Sequence, residues 1–194
     1  MRVAIIKYNA GNTASVTNAL ARLGICPILT DDPNELLAAD KVIFPGVGEA
    51  SSAMKFLKSA GLDTAIRAID QPFLGICLGM QLLCESSEEN ATECLGIVPL
   101  KVKRFSSSGL KVPEIGWNTI GNLRSPLFKD VPDGSYLYFV HGFYVETGAA
   151  TAATTAYGVE FSSALFHKNF HAVQFHPEKS GSVGRRILEN FLSL

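Results

Sequence analysis

A cysteine stands between two glycines in Gly75-Ile76-Cys77-Leu78-Gly79, where an apolar run, Phe73 to Ile76, meets a helical pattern, Met80 to Ser86. This is the form of a nucleophile elbow. A tight strand-to-helix turn lifts the side chain out of the sheet edge, the glycines keep Cβ atoms from clashing, and the helix start aims amide dipoles at the sulfur. The Leu78 amide would then hold a developing oxyanion. Read alone, the pentapeptide serves equally as a buried strand end with two structural glycines. His176-Pro177-Glu178 follows the apolar run Ala172 to Phe175. Residues two apart in extended chain project to one side, so this imidazole and carboxylate can line up with a nucleophile elsewhere. In isolation the tripeptide is a loop with a surface carboxylate; together with the elbow it becomes a nucleophile, base and orienting acid in the chain order Cys, His, Glu. Phe44-Pro45-Gly46-Val47-Gly48 closes another apolar run, and the glycines flanking Val47 let its peptide swing toward an oxyanion. Its plainer reading is a strand-to-helix turn.

These motifs need a sheet whose strand ends converge. Through residue 93 short apolar runs alternate with helical patterns, the signature of βα units and a mostly parallel sheet. Strands are expected at Arg2 to Tyr8, Ile25 to Thr30, Lys41 to Phe44 and Phe73 to Ile76. Between them, Val16, Leu20 and Leu23 mark a helix stopped by Gly24. Helices also span Pro33 to Ala39, Glu49 to Ala60 and Asp63 to Ile69. Beyond residue 93 the runs Ile97 to Phe105, Trp117 to Ile120, Tyr136 to Val140, Thr154 to Tyr157 and Ala172 to Phe175 predict antiparallel or mixed strands, and Ser182 to Leu192 a closing helix. Residues 106–135 form the loop-richest stretch, the kind that more often carries function than not.

With 194 residues the chain is sized for one domain and too short for a (β/α)₈ barrel of ~250 residues. Hydrophobic residues make up 47% and charged ones 18%, against roughly 25% charged in an average globular protein, which excludes intrinsic disorder. A net charge of -1 provides no field for a nucleic acid, and no apolar run approaches the ~20 residues of a spanning helix. The N-terminal residues lack a signal-peptide pattern, and four scattered cysteines suggest neither a disulfide framework nor a metal site. A cytoplasmic setting is expected, with Cys26, Cys84 and Cys94 packed as small apolar residues.

Pro-Gly-Val-Gly, Gly-Ile-Cys-Leu-Gly-Met-Gln and Phe-His-Pro-Glu-Lys-Ser-Gly, in that order, resemble the motifs of class I (triad) glutamine amidotransferases. More narrowly, Lys111-Val112-Pro113, Gly116-Trp117-Asn118 and Tyr138-Phe139-Val140-His141 are similar to segments of the glutaminase subunits of imidazole glycerol phosphate synthases. The resemblance covers residues 1–194 as a single amidotransferase domain and implies an α/β fold, a flavodoxin-like open mixed sheet flanked by helices. It implies hydrolysis of L-glutamine by Cys77, His176 and Glu178, with Val47 and Leu78 as oxyanion donors. Gly46, Gly48, Gln81, Glu89, Gly142 and Phe143 fall at substrate positions. It also implies a heterodimer with a (β/α)₈-barrel cyclase that receives the ammonia. Asn12, Trp117, Asn118 and Lys179 match the partner-facing positions, and no cofactor or metal is called for. Residue by residue, the plainer readings are a helix cap for Asn12, a core residue for Trp117 and a solvated Lys179. Glu114 departs from the family's usual histidine, and Gly142 from its usual hydroxyl residue. Glutaminase subunits of anthranilate or pyridoxal-phosphate synthases fit the Pro-Gly-Val-Gly and Gly-Trp-Asn segments less well. A flavodoxin-like cysteine hydrolase fits the His-Pro-Glu spacing poorly, and a decayed binding module would not keep the three reactive residues.

Overall fold

The computed structural model describes residues 1–8, 13–106 and 109–194. The first half runs β1 (Val3–Ile6), α1 (Thr13–Ala21), β2 (Ile28–Thr30), α2 (Pro33–Leu37), β3 (Lys41–Gly46), α3 (Ala50–Ser59), α4 (Leu62–Arg67), β4 (Phe73–Cys77) and α5 (Leu78–Leu82). Then come β5 (Ser86–Ser87), β6 (Thr92–Glu93), β7 (Lys101–Arg104), β8 (Glu114–Thr119), β9 (Tyr136–His141), β10 (Phe143–Val145), β11 (Thr151–Tyr157), β12 (Val159–His167), β13 (Phe170–Val173) and α6 (Gly181–Ser193).

Strands β2, β1, β3, β4 and β13 lie side by side in that order and are parallel, the doubly wound arrangement. The sheet continues through antiparallel β12 and β10, while β8 and β9 pair as a separate ribbon. Alternation along the parallel strands divides the core. Ala4, Ile6, Val42, Phe44 and Phe73 face one layer, with Leu36, Met54, Leu57 and Met80 from α2, α3 and α5. Val3, Ile5, Ile43, Leu74 and Ile76 face the other, with Leu20 from α1 and Ile187 and Phe191 from α6. Both faces are covered, so these strands are apolar throughout rather than alternating with polar residues.

Several expectations need correction. The helix after the elbow starts at Leu78 and ends at Leu82, because Leu83 and Cys84 donate three residues back, to Met80 and Gln81, and the chain tightens toward β5. The strand before His176 spans Phe170–Val173 rather than Ala172 to Phe175. The longest strand, β12, was not anticipated. Its Ser162 and Ser163 are fully buried, and Ser162 donates to the Glu146 carbonyl at 2.8 Å. Cys84 and Cys94 are buried fillers, but Cys26 is exposed. No helix among the described residues is long and apolar enough to cross a membrane.

His171 on β13 is buried, stacked on Phe166 with ring centroids 4.5 Å apart. Burial, helped by the nearby Lys41 charge, pulls its imidazole down to about 4. The unfolded chain therefore binds a proton that the folded one refuses, so this residue costs nothing well above pH 6.5 and destabilises progressively as pH falls from there toward 4. Replacing His171 by Gln is expected to remove roughly 1–2 kcal/mol of the stability loss between pH 7 and pH 5, read from urea midpoints.

Candidate active site

The site is assembled at the C-terminal ends of β3, β4 and β13. Register places Gly46 opposite Cys77 and Val173 opposite Ile76, which brings the Val47 turn, the elbow and the segment leading to His176 to one edge. Cys77 has φ 54° and ψ -111°, a left-handed backbone that costs a non-glycine residue on the order of 1–3 kcal/mol. The glycines around it are required by contact. A Cβ on Gly79 would strike the Phe44 carbonyl, and one on Gly75 would lie 2.9 Å from the Gly79 carbonyl oxygen. Leu78 is the first residue of α5, where amide N–H groups have no acceptor within the helix.

The Cys77 sulfur lies 3.7 Å from the Val140 carbonyl oxygen and 3.7 Å from Gln174 Nε2. His176 Nδ1 meets Glu178 Oε1 at 2.8 Å with both side chains buried. Burial alone would lower the His176 imidazole, but hydrogen bonding and charge from Cys77 and Glu178 outweigh it and push it up to about 10. Both neighbours favour the charged ring, so a proton from Cys77 can move onto it. Pro177 opens a short 3-10 turn, Pro177–Lys179, and the Ser180 hydroxyl donates to the His176 carbonyl at 2.7 Å, fixing this segment.

A cleft of about 310 Å³ opens over the sulfur, lined by Val47, Gly48, Cys77, Leu78, Gln81, Glu89, Gly142, Phe143, His176 and Lys179 among others. Most of the residues singled out from sequence therefore converge. Gly46 does not reach the cleft. It lies beneath the turn, where an added Cβ would sit 2.6 Å from the Tyr8 hydroxyl and 2.6 Å from the Gly79 nitrogen. The Tyr8 hydroxyl is buried with no hydrogen-bond partner among the described residues, and burial raises it well above the usual phenol range. The Ala50 N–H donates to Glu89 Oε2 at 2.8 Å, and burial raises that carboxyl.

Gln81 uses its amide nitrogen twice, donating to the Phe143 carbonyl and to Gln174 Oε1, both at 2.9 Å. Gln174 escaped the sequence reading. Its signal was a polar residue inside the apolar run preceding His176, two positions away and so on the same side of extended chain. Asn12 lies outside the described residues. Trp117 is 55% exposed, edge-on to Tyr138 at 5.9 Å, which replaces the core-residue reading. Asn118 is half-buried and donates to Glu114 Oε1 and the Ala156 carbonyl.

A thiol on a strained elbow, an imidazole that favours taking up a proton and a buried carboxylate over a small cleft are suited to nucleophilic acyl transfer at a cysteine, on a doubly wound sheet. The model of the glutamine amidotransferase class-I family matches residues 4–194, and the chain belongs to that family. The imidazole glycerol phosphate synthase subunit HisH of Bacteroides fragilis (strain YCH46) is 55% identical over 196 residues, covering 100% of both chains. The HisH subunit of Idiomarina loihiensis is 45% identical over 194 residues, covering 100% of this chain and 98% of that one. The fold recurs in the crystal structure of a glutamine amidotransferase, with TM-score 0.77 at 19% identity over 100% of this chain and 98% of that one. It recurs also in a glutamine amidotransferase from Thermotoga maritima, with TM-score 0.64 at 21% identity over 100% and 83%.

Gly79→Ala is expected to destabilise the protein by about 3 kcal/mol, because backbone and not a flexible side chain must yield. Thermal unfolding and glutamine hydrolysis should fall together.

Proposed function

We propose that residues 1–194 form the glutaminase subunit of an imidazole glycerol phosphate synthase. It hydrolyses L-glutamine to glutamate and ammonia, and the ammonia passes to a (β/α)₈ cyclase subunit that makes imidazole glycerol phosphate and aminoimidazole carboxamide ribotide in histidine biosynthesis. The observation that carries the reading is the Cys77, His176 and Glu178 row over a glutamine-sized cleft, in a chain 55% identical to a HisH subunit along its whole length.

His176 takes the Cys77 thiol proton as the sulfur attacks the side-chain amide carbon of glutamine, and the carbonyl oxygen takes up negative charge that the Leu78 amide stabilises. His176 delivers its proton to the departing nitrogen, releasing ammonia and leaving a γ-glutamyl thioester. The now neutral imidazole draws a proton from water, which attacks the thioester and frees glutamate. Glu178 keeps the ring in the tautomer and orientation both steps need. Glu89 and the Gly142–Phe143 backbone hold the α-amino and carboxylate groups, while Gln81 supplies its remaining carbonyl oxygen. Val47 offers the second oxyanion amide. The glycines on either side of Val47 let that peptide turn, which supports low basal activity until docking sets it. Lys179 at the cleft mouth and the exposed Trp117 are the partner-facing residues.

Glutamate release by the chain with and without a cognate cyclase and its nucleotide substrate tests both chemistry and partner, with at least about a tenfold rise expected on docking. Equal rates would reject the coupling. His176→Ala should lower the docked rate by about 10³ or more, and an unchanged rate would reject its role.

A further inference from the structure

Next to the triad lies a second buried imidazole and carboxylate that the reaction above does not use. Glu114 on β8 stands directly opposite His141 on β9, with Oε2 and Nε2 3.0 Å apart and side chains only 5% and 2% exposed. The contact is not aligned as a hydrogen bond, and neither atom has another partner among the described residues. The imidazole is boxed by the rings of Phe105, Phe139 and Phe161 at 5.2 to 5.7 Å. Burying such a pair in an apolar box is a net cost unless its geometry serves something else.

What it holds is visible at the other ring nitrogen. His141 Nδ1 lies 2.7 Å from the Phe143 carbonyl oxygen, which only accepts, so Nδ1 carries the hydrogen. The same carbonyl accepts from Gln81, whose nitrogen also binds Gln174, and Gln174 reaches the Cys77 sulfur. Gly142, between His141 and Phe143, has no side chain to restrain the turn, and its nearest non-adjacent atom to an added Cβ is a Val112 methyl at 3.7 Å. Asn118 fixes the far side of the carboxylate, donating to Glu114 Oε1 at 2.8 Å.

We propose that Glu114 and His141 are positioning residues for the glutaminase reaction: the pair braces the glycine-containing 142–143 turn and, through the Phe143 carbonyl, sets Gln81 and the substrate end of the cleft. The inference rests on the glutaminase reading above. The carboxylate orients the ring, the ring fixes the carbonyl, and the turn keeps its backbone aimed at glutamine.

The test compares Glu114→Leu with Glu114→Gln in the reconstituted complex, alongside the unaltered protein. A glutamine at 114 can donate to Nε2 of a neutral imidazole and leave Nδ1–H on the carbonyl, whereas leucine frees the ring. Glu114→Leu should raise KM for glutamine by about tenfold while kcat changes less, and Glu114→Gln should stay within about twofold of the unaltered protein. Unchanged KM in Glu114→Leu, or equal KM defects in both variants, would overturn the proposal. Should Glu114→Leu fail to fold, His141→Asn against His141→Leu decides it, since only asparagine retains an N–H for the Phe143 carbonyl: recovery of KM with asparagine supports the brace, and none overturns it. Absence of turnover in the unaltered complex would instead overturn the glutaminase reading, and this inference with it.

Discussion

The backbone at Cys77 is held at φ 54° between a strand and a helix that are pressed together as closely as two glycines permit. Gly79 lies against the Phe44 carbonyl and Gly75 against the carbonyl of Gly79, so at these glycines α5 approaches β3 and β4 backbone to backbone. That close approach sets the angle at which the chain leaves β4. The nucleophile thereby emerges above the sheet edge and the Leu78 amide faces the same space. Relaxing it would lower the strain and misplace the sulfur, so stability is exchanged locally for position. The two apolar layers on either face of the sheet supply the rigidity that keeps such a conformation in place.

Electrostatics at the site follow from that placement. His176 is buried, which opposes its charge, yet the sulfur side and Glu178 that flank it favour the charged ring more strongly. Glu178 Oε2 is buried without a hydrogen-bond partner among the described residues, so the carboxylate depends on the imidazole as the imidazole depends on it. Each group is costly alone and tolerable only in the row. The Glu114 and His141 pair repeats this logic across β8 and β9, beside the 142–143 turn that lines the cleft.

How much of this was legible depended on distance along the chain. The elbow, the Pro-Gly-Val-Gly turn and His-Pro-Glu are local patterns whose geometry is dictated by neighbours, so Cys77, His176 and the parallel strands beneath them could be read directly. Gly46 admits Tyr8 and Gly79 beneath the turn, a contact made by residues far away in sequence and so beyond a local pattern. Strand β12 was missed because burial on both sides erased the alternation expected of an antiparallel strand, with Ser162 and Ser163 satisfied or sequestered inside. In sequence Glu114 is only a departure from the family's usual histidine; the register of β8 on β9 is what shows that it faces His141. Gln174 looked like a strand residue until its amide was seen between Gln81 and the sulfur.

The account stands on Cys77 as the atom that receives the glutamyl group. Acid quenching of the reconstituted complex during turnover with glutamine, followed by mass analysis of the peptide carrying Cys77, measures this directly. A γ-glutamyl thioester on Cys77, absent from Cys77→Ala, is the predicted result; continued glutamate formation by Cys77→Ala, or a glutamyl adduct on another residue, would contradict it.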